Sequence, residues 1–272
     1  MCYYNGAKVL KEPYVRVGHV EKLVSKYDFL TKPLHIGFEY GNAPVLKRIE
    51  GKEDFEIVQM EWGFLPHYLN DREAVNKFRS GYKKANGEWQ QPIMTLNAVG
   101  EELLLPGKIY RDAALHRRCL VLSSGFYEWR HVYPLNKRTG KPVKTALKIP
   151  YHICPAEGEY WLMAGIWTPW KDRNTGEFVE TFAIVTTVAN KLMEQIHNSK
   201  RRMPTILTDE LASEWLFGEL SEERISEIAR SQYPPEKMRF YTIAKDFREA
   251  EDPMVEAQYT ELPPIEVVQH NS

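Results

Sequence analysis

Cys119-Leu120-Val121-Leu122-Ser123-Ser124-Gly125-Phe126-Tyr127-Glu128-Trp129 is the stretch on which the fold turns. Four apolar residues read as a buried strand, Ser123-Ser124-Gly125 as a turn, and Phe126 onward as the next strand. The same punctuation recurs outward. Upstream, Phe55, Ile57, Val58, Met60 and Trp62 alternate as a strand over 55–62, ended by Gly63 and Pro66. Strand pieces over 33–49 are interrupted by Gly41 and Pro44, and 93–96 reads as a short strand running into Asn97-Ala98. The stretch 70–86 is polar enough for an exposed helix or long loop, and 110–118 suits a short helix. Downstream, Lys-Arg-Thr-Gly-Lys-Pro at 137–142 reads as a hairpin tip leading into a strand over 143–149. Strands follow over 160–167 and 180–186, with a turn at Asn174-Thr175-Gly176 between them. A helix is expected over 188–196, a strand over 203–207, two helices opened by Thr208 and Ser221, and a last strand over 240–243. Many short strands with few helices, and no βαβ alternation, predict an α+β class. The expected architecture is a single domain over 1–248, a curved mostly antiparallel sheet or open barrel with peripheral helices. An acidic, proline-containing tail or wrapping arm occupies 249–272.

Composition bounds the function. The chain has 272 residues, and 43% hydrophobic content is enough for a sizeable core. A formal net charge of −1 argues against a broadly basic nucleic-acid binder but leaves room for a local basic groove. Cys2, Cys119 and Cys154 show no paired spacing, so neither a disulfide framework nor a zinc ribbon is expected, and no cofactor or metal is assigned. That cysteine usage suits a reducing, cytoplasmic compartment. No apolar run is long enough for a signal peptide or a membrane span.

Cys2 directly follows the initiator Met1. Once Met1 is excised, it presents an α-amine and a thiol on adjacent carbons, with reference pKa values of about 7.7–8.0 and about 8.5. Such a 1,2-aminothiol can attack acyl groups, or condense with an aldehyde to an imine and then close a thiazolidine ring. The plainer reading is a small apolar residue in a frayed terminus. Glu128, among aromatic neighbours, is a candidate proton-transfer carboxyl with a raised pKa; a solvent-facing strand glutamate is the alternative. His197, after Gln195-Ile196, is either a proton shuttle or a helix-terminal histidine stabilised by the dipole when charged. Asn97 either orients a substrate or the chain start, or turns the backbone. Trp62 and Tyr68 could stack on bases, against core packing as the commoner fate. Lys200, Arg201 and Arg202 could grip phosphate, or form a solvated turn.

Taken in order, these pieces resemble the SRAP family, the SOS response-associated peptidase-like proteins that crosslink to abasic sites in single-stranded DNA. The resemblance rests on Met1-Cys2, Trp62-Gly63-Phe64-Leu65-Pro66, Asn97-Ala98 with Glu101, Cys119-Leu120 with Gly125-Phe126-Tyr127-Glu128-Trp129, Ala164-Gly165-Ile166-Trp167, Thr186-Thr187 with Ala189-Asn190, and His197 with Arg202-Met203-Pro204. It implies a DNA-damage protein whose Cys2 traps the ring-opened sugar as a thiazolidine. In that reading Glu128 is the general acid/base, His197 assists proton transfer and ring opening, and Asn97 positions the amine and the sugar. It further implies DNA contacts from Trp62, Pro66, Tyr68, Lys200, Arg201, Arg202, Met203 and Pro204. The expected partner is single-stranded DNA carrying abasic sites, with no membrane partner, and DNA binding would make the protein nucleoid-associated. The peptidase label implies autoprocessing of the N-terminus. Alternatives are an N-terminal-nucleophile cysteine peptidase or amidohydrolase, and a non-catalytic single-strand binding module. The chain departs from the family pattern at Tyr4 and Val99, where arginines are usual, and at Tyr68, where tryptophan is commoner. It departs again at Asn198-Ser199-Lys200-Arg201, which lengthen the link from His197 to Arg202.

Overall fold

The computed structural model describes residues 2–136, 138–260 and 262–266. Strand Arg118–Ser123 and strand Gly125–Val132 are consecutive but not partners. The first pairs with Asn42–Arg48 and Trp161–Lys171; the second pairs with Tyr4–Lys8 and Leu147–Pro155. The Ser-Ser-Gly turn is therefore a corner between two sheets. Gly125 makes it possible: its φ is +147°, and a Cβ there would lie 2.4 Å from His152 Nε2 and 2.8 Å from the Ile153 carbonyl oxygen. Gly125→Ala adds both backbone strain and a backbone clash, so a loss of about 3 kcal/mol or more is expected in urea unfolding.

On one side of the corner, five strands close on themselves. Asn42–Arg48, Arg118–Ser123, Trp161–Lys171, Phe178–Val188 and Phe55–Trp62 form a ring in which only the last two are parallel. On the other side lies a five-stranded antiparallel sheet in the order Met238–Thr242, Leu147–Pro155, Gly125–Val132, Tyr4–Lys8, Thr31–Ile36. Alternation distributes the barrel's side chains into two cores. Leu46, Ile57, Leu120, Leu122 and Ile166 pack with helices Asp209–Phe217 and Glu222–Ala229 through Trp215 and Ile225. Val45, Met60, Val121, Met163 and Phe182 pack with Phe126, Ile153 and helix Lys191–Ile196. Cys2 belongs to this second core.

The mostly antiparallel α+β architecture expected from the sequence is observed, with the barrel closed. The strand expected over 93–96 is instead Asn97–Val99, which runs parallel to Phe178–Val188 through Ile184↔Asn97; Ile93 and Met94 stay on the surface. The strand expected over 203–207 is two. Arg202–Pro204 pairs with Phe178–Val188 and Ile206–Leu207 with Trp161–Lys171. Thr205 between them donates its amide to the Val185 carbonyl and its hydroxyl to the Ala229 carbonyl. The strand expected over 143–149 begins at Leu147 and continues to Pro155. Of the expected hairpin tip, Lys137 lies outside the described residues, as do Met1, Glu261 and 267–272 of the tail. The described tail wraps back onto the domain: Tyr259 donates to the Ile243 carbonyl, Arg130 to the Pro263 carbonyl, and Gln195 to the Glu266 carbonyl.

Candidate functional site

Strand Tyr4–Lys8 carries the chain start alongside Glu128. Its register against the central strand, Asn5↔Phe126 and Gly6↔Gly125, continues toward position 128 as the chain runs back to residue 2. Asn5 secures this placement from within, its side-chain amide donating to the Leu122 carbonyl at 3.2 Å across the corner. Gly37 N–H donates to the Tyr3 carbonyl at 2.8 Å. Asn97 Nδ2 donates to the Cys2 carbonyl at 2.9 Å. The Asn97 side chain is thus oriented by the main chain of the candidate nucleophile. Its Oδ1 has no hydrogen-bond partner among the described residues.

Glu128 is 5% exposed, so the solvent-facing alternative is excluded. Alternation does send Tyr127 to the other side, where it stacks on Phe247, but the Glu128 side is covered as well. Burial raises its carboxyl to about 7. His197 closes helix Lys191–Ile196 as its C-terminal cap residue. Its Nδ1 lies 2.8 Å from the Arg202 carbonyl oxygen. A carbonyl can only accept, so in the neutral ring Nδ1 holds the proton and Nε2 presents a lone pair. That Nε2 lies 3.6 Å from Glu128 Oε2. Burial lowers the His197 pKa to about 4. A shift of that size corresponds to about 3 kcal/mol, whereas a helix C-terminus contributes only about 0.3–1 kcal/mol when exposed. Desolvation wins, and His197 is neutral at pH 7, contrary to a dipole-stabilised cation. The pair is therefore not a permanent ion pair. Near neutrality it is a half-protonated acid facing an unprotonated ring nitrogen, an arrangement suited to relaying one proton. Burial, and then the charge of Glu128, raise the Cys2 thiol well above its usual range. Cys2 itself is fully buried.

The structure gathers Cys2, Asn97, Glu128 and His197 into one neighbourhood, while the residues expected to meet DNA differ in their exposure. Trp62 is not a surface platform. It is 1% exposed, stacks on Phe182 at 6.1 Å, and donates its indole N–H to the Leu96 carbonyl, because strand Phe55–Trp62 turns it into the second core. Met203 and Pro204 are buried in their edge strand, and Pro66 is buried too. All four are buried as placed, as Cys2, Glu128 and His197 are. Arg202 is held by Glu101 at 2.8 Å and by the Thr186 carbonyl, so its positive charge is compensated by a neighbouring carboxylate. Tyr68, Lys200 and Arg201 are exposed. Sequence reasoning missed two residues. Asn5 is buried at the corner, and Asn198 clasps the central strand: its Nδ2 donates to the His131 carbonyl and its Oδ1 accepts the His131 amide, both at 2.9 Å. An asparagine directly after a candidate histidine was the signal available for the second.

A closed barrel is joined by a glycine corner to an antiparallel sheet, with Cys2 held at the join beside a buried glutamate and histidine. The chain belongs to the SOS response associated peptidase (SRAP) family, whose model matches residues 22–250. It is 27% identical over 208 residues to the abasic site processing protein YoqW of Bacillus subtilis, covering 75% of this chain and 78% of that protein. It is 30% identical over 199 residues to the abasic site processing protein YedK of Escherichia coli, covering 72% of each. A crystal structure of a Bacteroides thetaiotaomicron protein matches with a TM-score of 0.68 and 28% identity, over 93% of this chain and 97% of that one.

Proposed function

We propose that the protein processes abasic sites in DNA by covalent capture through Cys2. With Met1 removed, the Cys2 amine attacks the C1 aldehyde of the ring-opened abasic sugar, and a carbinolamine forms. Glu128 in its acid form donates a proton to the departing hydroxyl, water leaves, and an imine remains. The Cys2 sulfur then adds to the imine carbon; its proton passes to the ring nitrogen by way of Glu128, closing a thiazolidine. The net change is loss of one water, with no oxidation or reduction. His197, neutral and with its lone pair toward Glu128, orients the protonated carboxyl and relays a proton to and from it as the sugar ring opens. Asn97 fixes the Cys2 backbone, and its buried Oδ1 is available to the amine or a sugar hydroxyl.

The observation that carries this reading is the pair of opposed shifts beside Cys2: an acid raised to about 7 facing a histidine lowered to about 4. The names of the relatives point the same way. A cysteine hydrolase would need an activated thiolate, and the Cys2 thiol is displaced in the opposite direction. The substrate form proposed is single-stranded, since a sugar must reach a chain start enclosed by two sheets.

Incubation with a single-stranded oligonucleotide bearing one abasic site, read on a denaturing gel and by intact mass, is expected to give an adduct weighing protein plus DNA minus one water. The same chain retaining Met1 is expected to give none, because the amine is then an internal amide. Absence of adduct from correctly excised protein sinks the proposal.

A further inference from the structure

The chain as a whole is balanced, with 36 Lys and Arg against 37 Asp and Glu. Between Trp129 and Ala156, however, there is no acidic residue, while Arg130, Lys137, Arg138, Lys141, Lys144 and Lys148 all fall there. This stretch continues the very strand that carries Glu128. Strands Gly125–Val132 and Leu147–Pro155 pair without a break from Phe126↔Ile153 to Val132↔Leu147. The ladder is carried outward by Val143 N–H to the Pro134 carbonyl, the Leu135↔Pro142 bridge, and Asn136 N–H to the Lys141 carbonyl. The result is one hydrogen-bonded arm running from the site to a tip near Gly140. From Glu128 to Arg138 it extends at most on the order of 30 Å, at about 3.3 Å per residue.

Its charges are uncompensated. Arg138, Lys141, Lys144 and Lys148 are exposed and make no ion pair among the described residues. Several cations elsewhere are engaged, Arg72 and Arg79 with Glu61, Lys47 with Glu180, Arg111 with Glu222 and Arg224 with Glu214, and other exposed ones such as Lys11, Lys32 and Lys171 lack an ion pair among the described residues without being gathered on one acid-free hairpin. Two more exposed cations join the arm at its base. The loop carrying Lys200 and Arg201 is fastened to it by the two hydrogen bonds between Asn198 and His131, and His131 lies opposite Lys148. The longer link after His197 and the basic hairpin thus meet at one place, next to the Glu128–His197 pair.

We propose that this hairpin, Arg138, Lys141, Lys144 and Lys148 with Lys200 and Arg201 at its root, is a phosphate-binding arm. It would hold the DNA strand that leads away from the captured nucleotide. Exposed cations gathered on one hairpin recognise a polyanion by charge, without reading bases. Arg202, by contrast, is paired with Glu101.

This inference deepens the proposed function and rests on it for the identity of the strand, so the test avoids the covalent step. Equilibrium binding of a lesion-free single-stranded oligonucleotide, long enough to reach the tip, is measured across a salt series. The protein with Arg138, Lys141, Lys144 and Lys148 all changed to Gln is expected to bind at least about tenfold more weakly near 0.1 M salt. Its log–log salt slope should be shallower by about 3, at roughly 0.7 for each phosphate no longer neutralised. The charge-keeping set Arg138→Lys, Lys141→Arg, Lys144→Arg and Lys148→Arg is expected to retain the wild-type slope. An unchanged affinity and slope in the Gln variant overturns the arm. So does weaker binding with an unchanged slope, which would place the loss in structure rather than charge. Failure of wild type to form an adduct leaves this reading intact and counts against the covalent proposal alone.

Discussion

Cys2→Ala is expected to abolish the heat- and denaturant-stable adduct with abasic DNA while leaving an imine that borohydride can trap. The substitution keeps a small residue behind Met1, so the free α-amine survives and can still condense with the aldehyde. What disappears is the sulfur that closes the ring. Ring closure is intramolecular, and attack from an adjacent carbon carries effective molarities of about 10⁵ M or more. No solvent thiol supplies that, so the yield of stable adduct should fall by at least about a thousandfold. The two readouts separate the roles of nitrogen and sulfur. An unaltered stable band from Cys2→Ala would remove the thiazolidine from the mechanism, and loss of the borohydride-trapped band as well would point to a misplaced chain start. Because Cys2 sits in the second core, the small cavity left by the change should cost roughly 1 kcal/mol or less of stability.

Glu128→Gln should slow adduct formation by about 10²–10⁴-fold, the usual contribution of a positioned acid/base, and at the same time stabilise the protein in alkali. Between the ordinary glutamate value of 4.5 and the folded value of about 7, the native state holds a proton that the unfolded chain has released. Stability attributable to Glu128 is therefore present at low pH and lost as pH rises through that window, by about 3 kcal/mol in all. His197 has the opposite sign. Its pKa falls from 6.5 to about 4, so the unfolded state binds the extra proton and stability rises with pH between those values. In wild type the two slopes largely offset each other. In Glu128→Gln only the histidine slope remains, and its stability should climb from pH 4 to 6.5 and stay above wild type at pH 8. Urea midpoints at pH 5 and pH 8 measure the difference. Equal midpoints for variant and wild type at pH 8 would show that the carboxyl is not held against its charge. The kinetic counterpart is a change in shape: wild type should lose rate above pH 7 as the acid form disappears, and the variant should lack that descending limb.

Much of the barrel was legible from two patterns, alternation where one face is covered and a continuous apolar run where both are. Phe55–Trp62 was read at its true limits, and Arg118–Ser123 within one residue at each end. The candidate site's four residues, Cys2, Asn97, Glu128 and His197, could be picked out one at a time by chemical type. What stayed hidden depended on partners distant in the chain. Nothing local separates Trp62 as a stacking surface from Trp62 as core; Phe182 and the Leu96 carbonyl decide it. Arg202 looks like a phosphate ligand until Glu101 is found beside it. Thr205 divides a five-residue apolar run because its two ends answer to different barrel strands.

The amino-acid order alone determined the class of fold, a turn at Ser123-Ser124-Gly125, the cysteine after Met1 and an acid-free basic stretch after Trp129, since each is a property of neighbours along the chain. The tertiary structure decided that Glu128 is an acid poised near pH 7, that His197 is neutral with its lone pair toward it, and which cations remain unpaired. Proton affinity and available charge follow from desolvation and from what lies opposite, and both are settled only when remote strands come into register.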